Sequence, residues 1–141
     1  MRLSQLCFAI GSLTAVAGIG LGIYMGIAQD HTLVPVHVHL NLIGWVSLFL
    51  IGLYYHTRPA SETTALARFQ VGAVAAGYLA FTAGLASLLA YPSPLAMPMT
   101  VTGALLVGAG MLVFAVIVWR DAWSARATVA GLAARHHQPA E

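Results

Sequence analysis

The sequence predicts an all-α integral membrane protein, a single four-helix bundle, from its composition and from the length of its apolar segments. Of its 141 residues, 60% are hydrophobic and only 7% are charged, whereas a soluble domain carries about a quarter charged residues. Four apolar segments exceed the roughly 20 residues that a helix needs to cross the hydrocarbon core. These spans are about 6–28, 33–55, 69–91 and 95–119, followed by a tail over 120–141. Because the connections are short, we expect antiparallel neighbours in one domain.

The arginines predict how the bundle is oriented in the membrane. All six basic residues are arginines that lie before the first span, between the second and third, or after the fourth: Arg2, Arg58, Arg68, Arg120, Arg126 and Arg135. The connections 29–32 and 92–94 contain none. Because basic residues are retained on the cytoplasmic side, we expect both termini in the cytoplasm and a multi-pass protein of the inner (cytoplasmic) membrane. Trp119 and Trp123 suit an interfacial aromatic belt.

Composition also argues against several classes of function. The net charge of +2 reflects the cytoplasmic anchors, and no basic stripe with interleaved aromatics indicates nucleic-acid binding. The sequence has no paired-carboxylate site, no nucleophile beside an evident base and no phosphate loop, so hydrolase or transferase chemistry is not expected. The single cysteine, Cys7, cannot form an internal disulfide and is predicted to be a small packing residue.

Glycines at helical spacing predict that the first span and the third span each pack closely against a neighbouring helix. They are Gly11, Gly18, Gly22 and Gly26 in the first span, and Gly77 and Gly84 in the third. Small residues at this spacing let another backbone approach closely. In the first span the alternative is that they leave space for a flat cofactor.

Two histidines in the second span are the main candidates for a site. His37 and His39 lie in an apolar stretch, where an imidazole requires a partner, a water-filled cavity or a bound metal. Residues two apart project about 200° apart around a helix, so the two rings cannot bind one metal together. They can instead hold two separate cofactors on opposite sides of the helix, or one cofactor and one partner helix. Asn41 and Gly44 are predicted on the face of His37, where Asn41 can hydrogen-bond beside a ligand and Gly44 leaves room for a planar ring.

Other possible ligands are predicted at the same depth, in the outer leaflet. They are Asp30 and His31 in the outer connection, Met25 at the end of the first span, and Met97 and Met99 early in the fourth. His56 is about 25 Å away along the helix, so we expect it to have only an interfacial role. The terminal pair His136-His137 is interpreted as solvated.

The stretch His37-Val38-His39-Leu40-Asn41-Leu42-Ile43-Gly44-Trp45 resembles the His-x-His helix of the heme-copper oxidase and nitric oxide reductase catalytic-subunit family. In that family the first histidine is the proximal ligand of the high-spin heme and the second is an axial ligand of the low-spin heme. The resemblance therefore implies the first role for His37 and the second for His39. It covers about nine residues in one of four helices.

This chain departs from the family in ways that limit what the resemblance implies. The family's subunit has about a dozen helices, and its adjacent His-His pair and further histidine for the second metal have no counterpart here. A complete oxygen- or nitric-oxide-reducing centre therefore cannot be assembled from one copy, whereas heme binding can. The opposing ligand comes from a second copy in a homo-oligomer (a dimer or higher), from Met97 or Met99, or is absent in a five-coordinate heme.

Three functional hypotheses follow from the sequence. The first is a b-type cytochrome, binding heme b and moving electrons near the outer face, to or from a quinol or a periplasmic carrier. The second is copper binding and delivery, since thioether and imidazole suit copper, with His31, Met25, Met97 and Met99 as ligands. The third is a cofactor-free structural subunit in which His37 and His39 only hydrogen-bond to neighbouring helices.

Overall fold

The computed structural model describes the backbone of residues 2–136 and the side chains as far as Arg126. This part of the chain is all-helical, with 89% helix and no strand. Its helices are α1 (Leu3–Ala28), α2 (Val34–Thr57), the short α3 (Pro59–Glu62), α4 (Ala65–Ala90) and α5 (Ala96–His136). Four of them, all but α3, are long and apolar enough to cross a membrane. The prediction of four long apolar helices is therefore confirmed.

Local signals explain several of the helix ends. The hydroxyl of Thr64 accepts a hydrogen bond from the backbone N–H of Ala67 at 3.1 Å and so caps the start of α4. Gln29 ends α1 in the left-handed conformation, with φ of 53°. Pro35 lies in the first turn of α2, where its missing N–H has no intrahelical acceptor.

Some boundaries differ from the prediction. Helix α4 begins at Ala65, four residues before the predicted start of the third span, and α1 begins at Leu3. Helix α5 continues to His136, so the first part of the predicted tail prolongs the last membrane helix. The pair His136-His137 lies outside the described side chains.

Helices α4 and α5 pack most closely together, because both helices carry glycine, which has no side chain, at their contact. A Cβ atom added to Gly77 would lie 2.8 Å from the Cβ of Leu106, and one added to Gly84 would lie 2.6 Å from the backbone nitrogen of Thr100. On α5, a Cβ at Gly103 would overlap the backbone of Phe81. The packing role predicted for Gly77 and Gly84 is confirmed.

The buried core is concentrated towards the arginine-rich end, defined as the end where α1 and α4 begin and α2 ends. Tyr55, Leu48 and Ile51 of α2 are fully or almost fully buried there, and Cys7 packs against the same cluster. The hydroxyl of Tyr55 donates to the side-chain oxygen of Gln70 at 3.0 Å. Cys7 is therefore a small packing residue, as predicted.

Polar bonds tie the short helix α3 to its neighbours at this end. The carboxylate of Glu62 accepts hydrogen bonds from the backbone N–H of Ser4 at 2.8 Å and from its hydroxyl at 2.7 Å. These bonds hold the pKa of Glu62 below its ordinary value. On α5, Asp121 accepts hydrogen bonds from the hydroxyls of Tyr54 and Ser61. The connection between α2 and α4 is thereby bonded to both α1 and α5.

The glycine contacts lead to a stability prediction. We expect Gly103→Ala to destabilise the protein by about 1–3 kcal/mol or more, because the added methyl meets the backbone of Phe81 and the helices must separate. Gly108→Ala on the same helix is the control, since nothing lies within 4 Å of its Cβ position. The measurement is unfolding in mixed micelles followed by circular dichroism. Equal stability of the two variants would contradict the described packing of α4 on α5.

Candidate functional site

His37 faces α1, and two glycines make room for it. Its Nδ1 lies 2.9 Å from the backbone carbonyl oxygen of Gly18. A Cβ atom at Gly22 would lie 2.9 Å from the ring atom Cε1. The ring is half-buried. The hydrogen bond to Gly18 and the close packing on Gly22 together fix its position.

Asn41 occupies the adjacent position on the same helix pair. Its carboxamide lies against Gly18, where a Cβ atom would approach Nδ2 to 2.7 Å. Nδ2 also donates to the carbonyl oxygen of His37 at 2.8 Å. Asn41 therefore does lie beside His37, as predicted, and it holds the backbone of that residue.

His39 faces a different helix. Its Nδ1 lies 2.7 Å from the carbonyl oxygen of Pro35, one turn earlier in α2. Its ring packs edge-on against Phe81 of α4, with ring centroids 4.7 Å apart. His37 therefore contacts α1 and His39 contacts α4, so the two rings project to different sides of α2, in agreement with the helix geometry.

The two hydrogen bonds determine the chemical character of both rings. A carbonyl oxygen can only accept, so Nδ1 of His37 and Nδ1 of His39 must carry the proton. In a neutral imidazole this leaves the lone pair on Nε2. Metal-binding histidines are oriented in the same way, by donating the second ring N–H to a carbonyl or carboxylate. Each flank of α2 therefore carries one imidazole whose Nε2 atom could bind a metal.

A π-helical segment, Leu40–Ser47, interrupts α2 directly after the two histidines. In such a segment the backbone hydrogen bonds shift from i+4 to i+5. The hydroxyl of Ser47 donates to the carbonyl oxygen of Leu42, five residues earlier, at 2.7 Å. The sequence prediction missed this segment. Its signal is the small or polar residues Asn41, Gly44 and Ser47 in an otherwise apolar helix.

The π-helical segment changes the surroundings of Gly44. The sequence places Gly44 on the face of His37, but a Cβ atom there would lie 2.5 to 2.7 Å from the phenol of Tyr78 on α4. The difference arises because each residue of a π-helix turns through less than the roughly 100° of an α-helix. The space left by Gly44 is therefore filled by the ring of Tyr78.

The glycines of α1 divide into two groups. A Cβ atom at Gly11, Gly18 or Gly22 would contact α2, whereas nothing lies within 4 Å of the Cβ position of Gly26. The close approach predicted for this stripe is therefore confirmed at three positions and not at Gly26. At Gly18 and Gly22 the neighbours are the side chains of Asn41 and His37, so this part of the stripe belongs to the site.

The other possible ligands differ in how deeply they are buried. Met25 is only 6% exposed and lines a cavity of about 350 Å³ together with Asp30 and Tyr91. Met97 and Met99, in contrast, are 58% and 37% exposed, and His31 is also exposed. Among the described residues, no three His, Cys, Asp or Glu side chains form a group that could hold a metal ion.

Asp30 is engaged within its own loop. Its carboxylate accepts hydrogen bonds from the hydroxyl of Thr32 at 2.7 Å and from the backbone N–H of the same residue at 2.9 Å. Both hydrogen bonds lower the pKa of Asp30, and the bond from the Thr32 hydroxyl has the larger effect. The carboxylate therefore stabilises the turn between α1 and α2.

His56 lies at the arginine-rich end, away from the candidate site. Its ring centroid is 6.1 Å from that of Phe8 on α1, and the residue is exposed. Seventeen helical residues separate it from His39, which corresponds to about 25 Å. This position agrees with the prediction that His56 is too far away to join the possible ligands near His37 and His39.

Comparison of the chain with protein-family models, curated proteins and solved structures finds no match. The resemblance of the nine residues from His37 to Trp45 to the oxidase helix therefore stays a prediction. The geometry of His37 and His39 is independent of that resemblance, because it follows from the contacts of the two rings.

These contacts predict the tautomer of both rings. In the cofactor-free protein we expect His37 and His39 to carry the neutral-state proton on Nδ1, because each Nδ1 faces a carbonyl oxygen. Nitrogen-15 NMR of histidine-labelled protein at basic pH distinguishes the two tautomers, with His37→Ala and His39→Ala assigning the signals. Signals from rings protonated on Nε2 would contradict the described ring orientations.

Proposed function

We propose that this protein is a membrane-embedded heme-binding protein of the b type that transfers electrons. His37 would hold an iron on the α1 flank and His39 one on the α4 flank. When bound, heme b supplies a one-electron couple between ferric and ferrous iron. The observation that carries the proposal is the pair of imidazoles whose Nδ1 atoms are bonded to backbone carbonyl oxygens.

The donor set fits a heme iron. Imidazole is a common axial ligand of heme, and the lone pair on Nε2 is the atom that each ring keeps free for a metal when Nδ1 donates. Both rings are half-buried, so part of each ring remains accessible to a bound group. An imidazole within a membrane span is also costly unless it has a partner or a ligand, and here only one of the two ring nitrogens has a described hydrogen bond.

The π-helical segment gives independent support. Short π-helical insertions in α-helices occur frequently at functional sites. Here the insertion begins one residue after His39, and Asn41 stabilises the carbonyl of His37 at its start. The resemblance of the same residues to the His-x-His helix is consistent with this interpretation.

The opposing axial ligand favours assembly of more than one copy. Met97 and Met99, the candidates within one protomer, are exposed on α5 rather than packed towards α2. We therefore propose a homo-oligomer in which a second copy supplies the opposing ligand, with a five-coordinate iron as the alternative. This arrangement requires no donor beyond those on each copy of α2.

We place the site near the outer face of the inner membrane. The arginines lie at the opposite end of the bundle, and basic residues favour the cytoplasmic side. His37 and His39 are close to the arginine-free connection at 29–32. At this depth the redox partner would be a quinol or a periplasmic electron carrier.

Copper delivery is the second candidate. It is favoured by the burial of Met25 beside the cavity that Asp30 also lines, because thioethers suit Cu(I). The exposed positions of Met97 and Met99 argue against a four-residue site in one copy. A cofactor-free structural role is the third candidate, since both Nδ1 hydrogen bonds are also compatible with simple helix packing.

The decisive test is the absorption spectrum of the purified protein, together with a pyridine hemochrome assay and metal analysis. We expect a Soret band, a sharp reduced α-band and heme b. His39→Ala should lower the heme content by about half, because it removes the ligand of one of the two proposed irons and leaves His37 in place. His56→Ala is the control, since its ring lies far from the site, and should leave the spectrum unchanged.

Other outcomes would point to the remaining candidates. Colourless protein with stoichiometric copper would favour copper delivery, and protein with neither metal would favour the structural role. Full heme retention in the double variant His37→Ala/His39→Ala would reject this site.

The packing of His37 on α1 leads to a second test of the same proposal. We expect Gly22→Ala to displace the His37 ring, since the added methyl lies 2.9 Å from Cε1, and so to disturb its hydrogen bond to Gly18. Loss of such an orienting bond lowers metal affinity by about 10–100-fold. Gly26→Ala is the matched control, because its Cβ position is open. Heme titration of both variants measures the difference, and equal affinities would contradict the role of Gly22.

A further inference from the structure

A groove lies on the outward face of α5, separate from the candidate heme site. It has a volume of about 240 Å³ and is lined by Val118, Trp119, Ala122, Trp123 and Arg126. The two indoles are one helical turn apart and are 75% and 72% exposed. These side chains contribute little to the core, so their arrangement requires another explanation.

The groove lies where α5 leaves the hydrocarbon. Trp119 is 23 residues after Ala96, the first residue of α5, and this distance corresponds to about 35 Å. The hydrocarbon core is about 30 Å thick. On the side of α5 that faces the protein, Asp121 accepts hydrogen bonds from Tyr54 and Ser61 at the same level. Both observations put the groove among the lipid headgroups.

The charge and donors of the groove suit a phosphate. Arg126 lies about one helical turn after Trp123 and lines the same groove, and side chains on a helix lean towards its N-terminus. A guanidinium can donate two parallel hydrogen bonds to a phosphate, and each indole adds an N–H donor. Asp121, the nearest acid in sequence, already accepts two hydroxyl groups on the other side of α5. Ala122 leaves space between the two indoles.

We propose that this groove binds the headgroup phosphate of an anionic phospholipid. The occupant is a lipid rather than a soluble phosphate, because the indoles offer an apolar surface for the upper acyl chain and lie at the headgroup level. A net negative headgroup is favoured over a zwitterionic one, since Arg126 attracts the former and repels the choline group of the latter.

The experiment measures which lipid lies beside the two tryptophans. The chain contains three tryptophans, so Trp45→Phe leaves only Trp119 and Trp123. This protein is reconstituted in mixed phosphatidylglycerol and phosphatidylcholine vesicles in which either one lipid or the other is brominated near the headgroup end of its acyl chains. Quenching of tryptophan fluorescence then reports the local ratio of the two lipids.

We expect phosphatidylglycerol to be enriched about fivefold beside the tryptophans, which corresponds to the effect of one arginine at an anionic membrane surface. Arg126→Gln should reduce the ratio to about one. Arg68→Gln is the matched control, because Arg68 is exposed at the same end of the bundle and is outside the groove. It removes the same charge and should preserve the enrichment.

Each other outcome would overturn the proposal. Equal quenching by the two lipids, or an enrichment that survives Arg126→Gln, would mean that the groove does not select the phosphate. Enrichment of phosphatidylcholine would assign the groove to a choline group stacked on the indoles. Absence of quenching by both lipids would mean that a protein surface, such as a second copy, covers the groove.

Discussion

The hydrogen bonds from the two imidazole rings to backbone carbonyl oxygens are the interactions on which the site depends. Hydrocarbon contains no water to satisfy a polar N–H, so each ring must find an acceptor within the protein. His37 uses Gly18 of the neighbouring helix, and His39 uses Pro35 of its own helix. Both choices fix the proton on Nδ1. In the neutral state each bond therefore leaves Nε2 unprotonated, and a bound metal would use this atom.

The backbone of Gly18 is accessible only because α1 carries glycine where α2 approaches. A side chain at Gly18 would overlap the carboxamide of Asn41, and one at Gly22 would press on the His37 ring. The same principle operates at Gly44, where the missing side chain makes room for the phenol ring of Tyr78 of α4. Three helices thus meet at positions without side chains, which brings polar groups together deep in an apolar bundle.

Much of the fold was predictable from the sequence, because membrane spans need only length and hydropathy. The opposite projection of His37 and His39 was also predictable, since it follows from helix geometry over two residues. The early start of α4 was not, because Arg68 and Gln70 lower the local hydropathy although they lie within the helix. The π-helical segment was missed because its signal, the small or polar residues Asn41, Gly44 and Ser47, also suits a regular α-helix that carries a ligand site. The position of Gly44 was misjudged as a result, since the smaller turn per residue begins at Leu40 and moves Gly44 away from the face of His37.

The two flanks of α2 differ in character, and this difference bears on the proposed function. On the α1 flank, His37 lies beside the carboxamide of Asn41 and a glycine backbone, which are polar groups. On the α4 flank, His39 lies against the edge of Phe81, an apolar contact. Polarity around an axial ligand and hydrogen bonding to it both tune the reduction potential of an iron site. If each histidine binds one heme, as we propose, the two irons would have different potentials. An electron could then pass across α2 in a preferred direction, although the two ligands are only two residues apart.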